Sequence, residues 1–505
     1  MEDRSVIGEF YAGKTVLITG ATGLIGKVLI WKLLYSCPNI DKIYILVRPK
    51  RGKQVQQRVD EILQVPIFKN FKDENPAALK KVIGVEGDIS EKKLGLSVSS
   101  EEKLCREVQI VYHIAAMLKL DAELKDAVVM NVEGTLQLLN LATKMEKLVA
   151  FVHTSTAYCH CDIPLMEEKV YPTEESPYDV INMVHWMKPE ILESITKKMI
   201  KPHPNTYTYT KRLAEKIVSD FHPRLPVTIG RPSIVIPAWE EPIPGWVDNL
   251  NGPTGLMIAA GKGVIRTMLA DPEYLADLNP VDVVCNGLIA ASWKTATDTL
   301  RTKEIPVYNL TQAEIEPVKW GDVLDLGREV IADYPFEIVL WYPGGGFHKN
   351  ELQHNILALL FHWIPAYFID FLMFLLGRKR FMVNAQLRIY HGQKLLQYFT
   401  TREWRFAKDN LLKLRDSLSP VDKKTYKLTG KNLDRLKYMI NATLVTRHYL
   451  VKDDPNSIAK CKTKMKILYV IDRLTRVVFF IFIAWMILKV FNLVFQINND
   501  KPVRI

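Results

Sequence analysis

Tyr207 and Lys211 stand four residues apart in the run Tyr207-Thr208-Tyr209-Thr210-Lys211. On a helix that spacing puts both side chains on one face, where an ammonium lowers a phenol's pKa and also reaches a nicotinamide ribose. A phenol so placed donates a proton to an oxygen that is receiving hydride, while a second donor holds the same oxygen. The run His153-Thr154-Ser155-Thr156-Ala157-Tyr158 offers hydroxyls for that second task, Thr156 ahead of Ser155. A Tyr-x-x-x-Lys spacing is frequent by chance, and hydroxyls are common in loops. What gives the two weight is a third motif far upstream, Thr15-Val16-Leu17-Ile18-Thr19-Gly20-Ala21-Thr22-Gly23-Leu24-Ile25-Gly26. This β-rich apolar run breaks into three glycines and then a helical pattern. Gly20 turns the chain off the strand, Gly23 leaves room for a pyrophosphate against bare backbone, and Gly26 lets the helix pack on the sheet. Thr19, Thr22, Leu24 and Ile25 complete the expected cradle, with the helix's free N–H groups and positive dipole end facing the phosphates.

The elements that must position these groups alternate strand and helix. A helix over 24–35 is followed by a strand over 43–47, at βαβ distance. That strand runs into Arg48-Pro49-Lys50-Arg51, where an NAD-preferring fold places an acid; Arg48 and Arg51 suit a 2′-phosphate, hence NADPH. A solvated basic loop is the alternative. A strand over 82–86 delivers Asp88 and Ile89; Asp88 accepts from an adenine amino group or caps a turn. A fourth strand over 109–113 leads into Ala115-Ala116, small enough for a nucleotide to approach, and Asn131 opens an amphipathic helix as its N-cap. The fifth strand, 148–152, releases the hydroxyl cluster at its carboxyl end, where open α/β sheets bind ligands. Pro232 and Ser233 join the expected cofactor contacts. The fold expected is α/β, a Rossmann-type doubly wound parallel sheet followed by a helical C-terminal domain and a C-terminal transmembrane helix.

With 505 residues, 48% of them hydrophobic and 24% charged, the chain has core enough for two or three domains. Six cysteines lack metal-pair spacing except Cys159-His160-Cys161, where alternate residues of a strand point oppositely, so no metal is expected. The formal net charge is +11, but residues 377–476 hold 24 Lys+Arg against 8 Asp+Glu, so the basicity belongs to the C-terminal part. It adjoins an apolar tract and no nucleic-acid module is visible, so a membrane surface is the expected partner and nucleic acid is not. Residues 1–14 contain Glu2, Asp3, Arg4 and Glu9 and form no apolar signal core, which leaves the N-terminal domain cytosolic.

Two apolar tracts follow. The first, over 355–377, is long enough to span a bilayer, but Asp370 at its middle would cost about 2.5–3.5 kcal/mol, so it is expected to dip into a membrane or line a tunnel. The second, 477–495, holds 19 residues with one charge, Lys489, and reaches about 28 Å, close to a hydrocarbon core. Lys460, Lys462, Lys464, Lys466, Arg473 and Arg476 precede it and only Lys501 and Arg504 follow, which orients a single-pass anchor with the catalytic part in the cytosol. An in-plane amphipathic helix is the alternative, and the endoplasmic reticulum is taken ahead of the peroxisome. The resulting division is 1–285 for cofactor and catalysis with substrate-binding parts to about 350, 351–377 apolar, 378–455 basic and helical, and 477–495 anchor. Nothing in the sequence sets an oligomeric state.

The motifs together resemble the extended short-chain dehydrogenase/reductases and, within them, the fatty acyl-CoA reductases, insect type most closely. The resemblance rests on Gly13-Lys14-Thr15 through Gly26, the 153–159 run, Tyr207 to Lys211, Gly230-Arg231-Pro232-Ser233, and Pro244-Gly245-Trp246-Val247-Asp248-Asn249 with Gly252-Pro253. It covers nearly the whole chain, 384–449 resembling the family's C-terminal domain; Thr154 and His160 depart from the valine and asparagine expected. It implies reduction of a long-chain acyl-CoA thioester to a primary alcohol by two NADPH. Tyr207 and Thr156 would hold the oxyanion, CoA would leave from a hemithioacetal, and the aldehyde would be reduced in place. The basic 384–449 segment would either contact CoA phosphates or present a solvated cationic face. A membrane-anchored sterol or hydroxysteroid dehydrogenase of the same superfamily, or a catalytically silent lipid-binding relative, would share part of this pattern. The Pro244 to Asn249 run favours the first reading over the second, and the intact Tyr207, Lys211 and glycine loop weigh against the third.

Overall fold

The computed structural model describes residues 4–49, 52–298 and 304–499. Seven strands form one sheet: β1 (Thr15–Thr19), β2 (Lys42–Val47), β3 (Val82–Glu86), β4 (Ile110–His113), β5 (Ala150–Thr154), β6 (Val227–Pro232) and β7 (Val307–Leu310). Their order is β7-β6-β5-β4-β1-β2-β3, and every pairing is parallel. β1, β4 and β5 are buried along their whole length, as a sheet covered on both faces requires. Alternate residues feed opposite cores. Ile18, Ile45, Tyr112 and Val152 pack with Leu29 and Leu288 on one face, while Leu17, Tyr44, Val111 and Phe151 pack with Leu213 and Ile217 on the other. The strand order reverses between β1 and β4, and the crevice at that switch point is where such sheets take ligands.

Eight helices matter for the site and its surroundings: α1 (Leu24–Ser36), α2 (Thr206–Asp220), α3 (Val281–Thr297), α4 (Trp320–Asp333), α5 (Glu351–Leu375), α6 (Met382–Thr400), α7 (Arg435–Val445) and α8 (Ile458–Asn499). Two local expectations change. Asn131 is no N-cap: the helix begins at Leu124, runs on to Ala142, and holds Asn131 within a π-turn at Val129–Glu133. Cys159 to Cys161 lie in a turn after β5, not on a strand.

Among the described residues one helix, α5, is long and apolar enough to cross a membrane. Its polar groups are engaged with protein. The Asp370 carboxylate accepts the N–H groups of Phe381, Met382 and Val383 at 2.8–2.9 Å, capping the start of α6. His362 Nε2 accepts from Arg266 N at 2.7 Å, and His354 Nδ1 pairs with Thr267 Oγ1 at 3.0 Å. The other side of the helix exposes Tyr367, Phe368, Phe371, Phe374 and Leu375. α8 is one continuous helix of 42 residues, and Val477, Phe480, Ile481, Ile487 and Leu488 are exposed on it. The expected anchor at 477–495 lies on α8, and the side chains of 491 and 493–495 lie outside the described residues.

Candidate active site

A cavity of about 1150 Å³ opens at the switch point and runs from the glycine loop past Tyr207 into an apolar lobe. Gly20 has φ +78°, and a Cβ there would lie 2.7 Å from Ala115 N; one on Gly26 would lie 2.4 Å from Gly20 O. Backbone packing therefore demands glycine at both positions. Gly23 differs, because a Cβ there would meet only Gly20 O at 3.3 Å, and its space belongs to the cavity. α1 starts at Leu24 without a side-chain cap, so its first N–H groups suit an anion. Thr19 Oγ1 accepts the N–H groups of Ile114 and Ala115 at 3.2 Å and bonds His113 Nδ1 at 2.8 Å, joining β1 to the loop after β4. Thr22, Leu24, Ile25 and Ala115 also line the cavity.

At the far end of the cradle sit Arg48, Asp88 and Ile89. Arg48 is half-exposed and lies 3.5 Å from Asp88. Burial pushes the Asp88 carboxyl up, but the Ser90 N–H and hydroxyl, with Arg48, hold it below the usual range. Arg58, which the sequence reading missed, lines the same end and donates to Arg48 O at 3.0 Å. Its signal was an arginine in the first turn of the helix after β2. Arg51 lies outside the described residues.

Tyr207 and Lys211 project from the first turns of α2, which Asn205 starts by accepting from Thr208 N at 2.9 Å. Burial pushes the Tyr207 phenol well above its ordinary value and the nearby Thr156 hydroxyl only partly opposes this, so Tyr207 keeps its proton. Ser155, Thr156 and Tyr207 all line this part of the cavity, and Ser155 Oγ is buried without a hydrogen-bond partner. Lys211 is buried, which lowers its ammonium to about 8 against the pull of Glu215. Its Nζ donates to Thr154 O at 2.7 Å, so the amine holds the end of β5. Pro232 and Ser233, at the end of β6, close this part of the wall.

Asn131 does not line the cavity. Its Oδ1 accepts from Met117 N at 2.7 Å and its Nδ2 donates to Thr210 Oγ1 at 2.9 Å, so it fixes the loop after β4 against the catalytic helix. One turn beyond Lys211, Glu215 forms a fully buried bidentate pair with Arg231 at 2.8 and 2.6 Å. Cys159 and His160 gather around that carboxylate. Burial pushes the Cys159 thiol up, and the thiol and Arg231 both bond the Glu215 carboxylate. The Pro244 to Asn249 run acts as a clasp. Gly245, at φ +83°, lies so close to α7 that a Cβ would meet Asn441 at 2.4 Å, and Asp248 pairs with Lys27 on α1 at 2.5 Å. Helical C-terminal side chains thereby complete the apolar lobe, among them Leu396, Phe399 and Met439.

Residues 18–288 match a family model described as male sterility protein, and residues 361–453 match a second model with the same description. Fatty acyl-CoA reductase 1 of rat and of human are each 40% identical over 448 residues, 89% of this chain and 87% of theirs. Fatty acyl-CoA reductase 2 of cattle is 39% identical over 487 residues, 96% of this chain and 93% of its own. Among solved structures, the terminal R domain of the myxalamid PKS-NRPS pathway superposes with a TM-score of 0.57 at 21% identity, covering 88% of this chain and 93% of that domain. The reductase domain of a nonribosomal peptide synthetase from Mycobacterium tuberculosis gives 0.54 at 17% identity, covering 87% and 92%. These two likenesses speak for the fold.

Proposed function

The chain belongs to the fatty acyl-CoA reductase family, and from that premise we propose that it reduces a long-chain acyl-CoA to the primary alcohol, with release of CoA and with NADPH as reductant. The observation that carries this reading is the meeting of three parts in one cavity: the cradle of Gly20, Gly23 and Gly26, the Tyr207–Thr156 hydroxyl pair, and the apolar lobe. Arg48 and Arg58 at the adenosine end support NADPH over NADH, since guanidiniums suit a 2′-phosphate.

NADPH, when bound, supplies the hydride that adds to the thioester carbon. Tyr207, kept protonated by burial, donates its proton to the oxygen as negative charge develops there. Thr156, in the same stretch of cavity wall as Tyr207, offers a second contact to the oxygen. The hemithioacetal then breaks its C–S bond, its hydroxyl proton leaving with CoA as the thiol. The aldehyde oxygen lies against the same two hydroxyls, so a second hydride and a second proton give the alcohol without another acid. Lys211, one turn of helix before Glu215, fixes β5 and carries positive charge where the nicotinamide ribose would lie.

The exposed apolar faces of α5 and α8 support a membrane-bound enzyme, and the two helices meet where Phe361 and Phe479 pack with ring centroids 6.2 Å apart. In this reading α8 anchors the chain, the catalytic part lies in the cytosol, and α5 rests in the interface. The test is to incubate detergent-solubilised protein with NADPH and palmitoyl-CoA and to quantify products. The expected result is one alcohol and one CoA for two NADPH. Turnover of a steroid with none of palmitoyl-CoA would overturn the substrate reading, and equal turnover with NADH would overturn the cofactor reading.

A further inference from the structure

The run Gly344-Gly345-Gly346 takes no part in the chemistry above, yet each glycine meets an arginine. A Cβ on Gly344 would lie 3.0 Å from Arg476 Nη2, one on Gly345 2.8 Å from the Arg266 backbone, and one on Gly346 3.6 Å from Arg328 Nη2. Gly344 walls a recess of about 270 Å³ together with Arg328, Arg473, Arg476, Tyr342 and Met465. Arg328 and Pro343 line both this recess and the main cavity, so the two adjoin.

The recess gathers more positive charge than its contacts neutralise. Asp472 is shared between Arg266 at 3.0 Å and Arg476 at 2.8 Å, and it also accepts from the Trp341 indole. Asp325 holds Arg328 at 2.7 Å from an exposed position, and Arg473 stacks over the Tyr469 ring. Three guanidiniums thus share two carboxylates among these contacts, and Arg473 adds a fourth charge beside them. Burial lowers the Arg266 guanidinium, and the crowding of Arg476 and Arg473 adds to the fall although Asp472 opposes it. Such a cluster is short of an anion with several acceptor oxygens.

Its place narrows the class of anion. Arg473 and Arg476 are the last cations of α8 before the apolar stretch that starts at Val477, and Leu474, Val477 and Val478 are exposed beside them. We propose that the recess is a phosphate site at the membrane-facing mouth of the cavity, filled by the CoA phosphates of the substrate or by a phospholipid headgroup. Guanidiniums fork onto phosphate oxygens, and a glycine-walled recess lets a bulky phosphate approach the backbone. The first source rests on the acyl-CoA reading and the second on the membrane reading.

The test uses full-length protein carrying Arg473→Gln, Arg476→Gln or both; Arg266 keeps Asp472 in each. KM and kcat are measured in detergent with palmitoyl-CoA and with S-palmitoyl-pantetheine, which lacks phosphate. Co-sedimentation is measured with phosphatidylcholine vesicles with and without phosphatidylserine, and thermal denaturation checks folding. If CoA phosphates fill the recess, the double variant raises KM for palmitoyl-CoA on the order of tenfold at unchanged kcat and leaves the pantetheine KM alone. If a headgroup fills it, both KM values stay and the phosphatidylserine-dependent part of vesicle binding is lost. No change in either measurement overturns the proposal. The exposed Arg473→Gln alone decides the matter if the double variant does not fold. Wild-type protein inert toward both thioesters would defeat the acyl-CoA reading and leave the vesicle arm standing.

Discussion

Lys211 is the side chain at the site whose charge changes within the usual assay range, because burial has brought its ammonium down to about 8. Tyr207 has moved the other way and holds its proton throughout that range. An alkaline limb in the pH profile of kcat/KM therefore belongs to the lysine. Below about pH 8 the amine is charged, and as pH rises through 8 the charge and the contact it offers a ribose hydroxyl are lost. We expect kcat/KM to fall above pH 8 with limiting slope −1, since this parameter reports groups of the free enzyme. A flat profile to pH 9.5 would refute that assignment. Tyr207→Phe removes the proton donor and leaves the cradle untouched, so turnover should drop by about 10²–10⁴-fold while NADPH binding, followed by fluorescence titration, stays near the wild-type value.

At the scale of elements, the loop between β1 and α1 separates two uses of glycine. Gly26→Ala drives a methyl into Gly20 O and Ala21 Cα, and backbone cannot swing aside as a side chain can. It should cost about 1–3 kcal/mol of stability as well as cofactor binding. Gly23→Ala asks Gly20 O to yield by only a few tenths of an ångström and otherwise intrudes on the phosphate space, so its melting temperature should fall less than that of Gly26→Ala while NADPH binding weakens on the order of tenfold. Calorimetry beside a binding titration distinguishes the pair; equal losses of stability would refute the distinction. This loop was legible in sequence because its demands are local: strand, turn, close approach and helix succeed one another within a dozen residues. The parallel strands were legible for the same reason, as short apolar runs at βαβ spacing. Asn131 was misread because a π-turn continues the helix through a residue that usually starts one, and its partners Met117 and Thr210 come from distant elements. Arg58 escaped because its place at the adenosine end depends on how its helix packs beside β2. Asp370 read as a charge in an apolar tract, yet it caps α6 across a hairpin that periodicity does not reveal.

For the whole molecule, the same hairpin decides how the enzyme should come off a membrane. α8 has two halves with different work. Its first half is part of the folded body: Cys461, Met465 and Asp472 are buried, and Asp472 ties Arg266 and the Trp341 indole. Cutting the chain at Lys466 would strip Arg266, which is 8% exposed, of its carboxylate and confuse detachment with unfolding. A cut after Arg476 keeps that contact and removes the apolar stretch that starts at Val477. If α8 were the sole anchor, this truncation would become soluble. Phe368, Phe371 and Phe374 of α5 are exposed too, on a helix that meets α8 at the Phe361–Phe479 contact, and each aromatic buried in lipid adds apolar area to an interfacial attachment. We therefore expect the truncated protein to remain partly in the pelleted membranes, to be released by high pH carbonate, and to become soluble and active once Phe368→Asp and Phe371→Asp are added. Complete solubility of the truncation alone would assign the whole attachment to α8, and α5 would then have no membrane role.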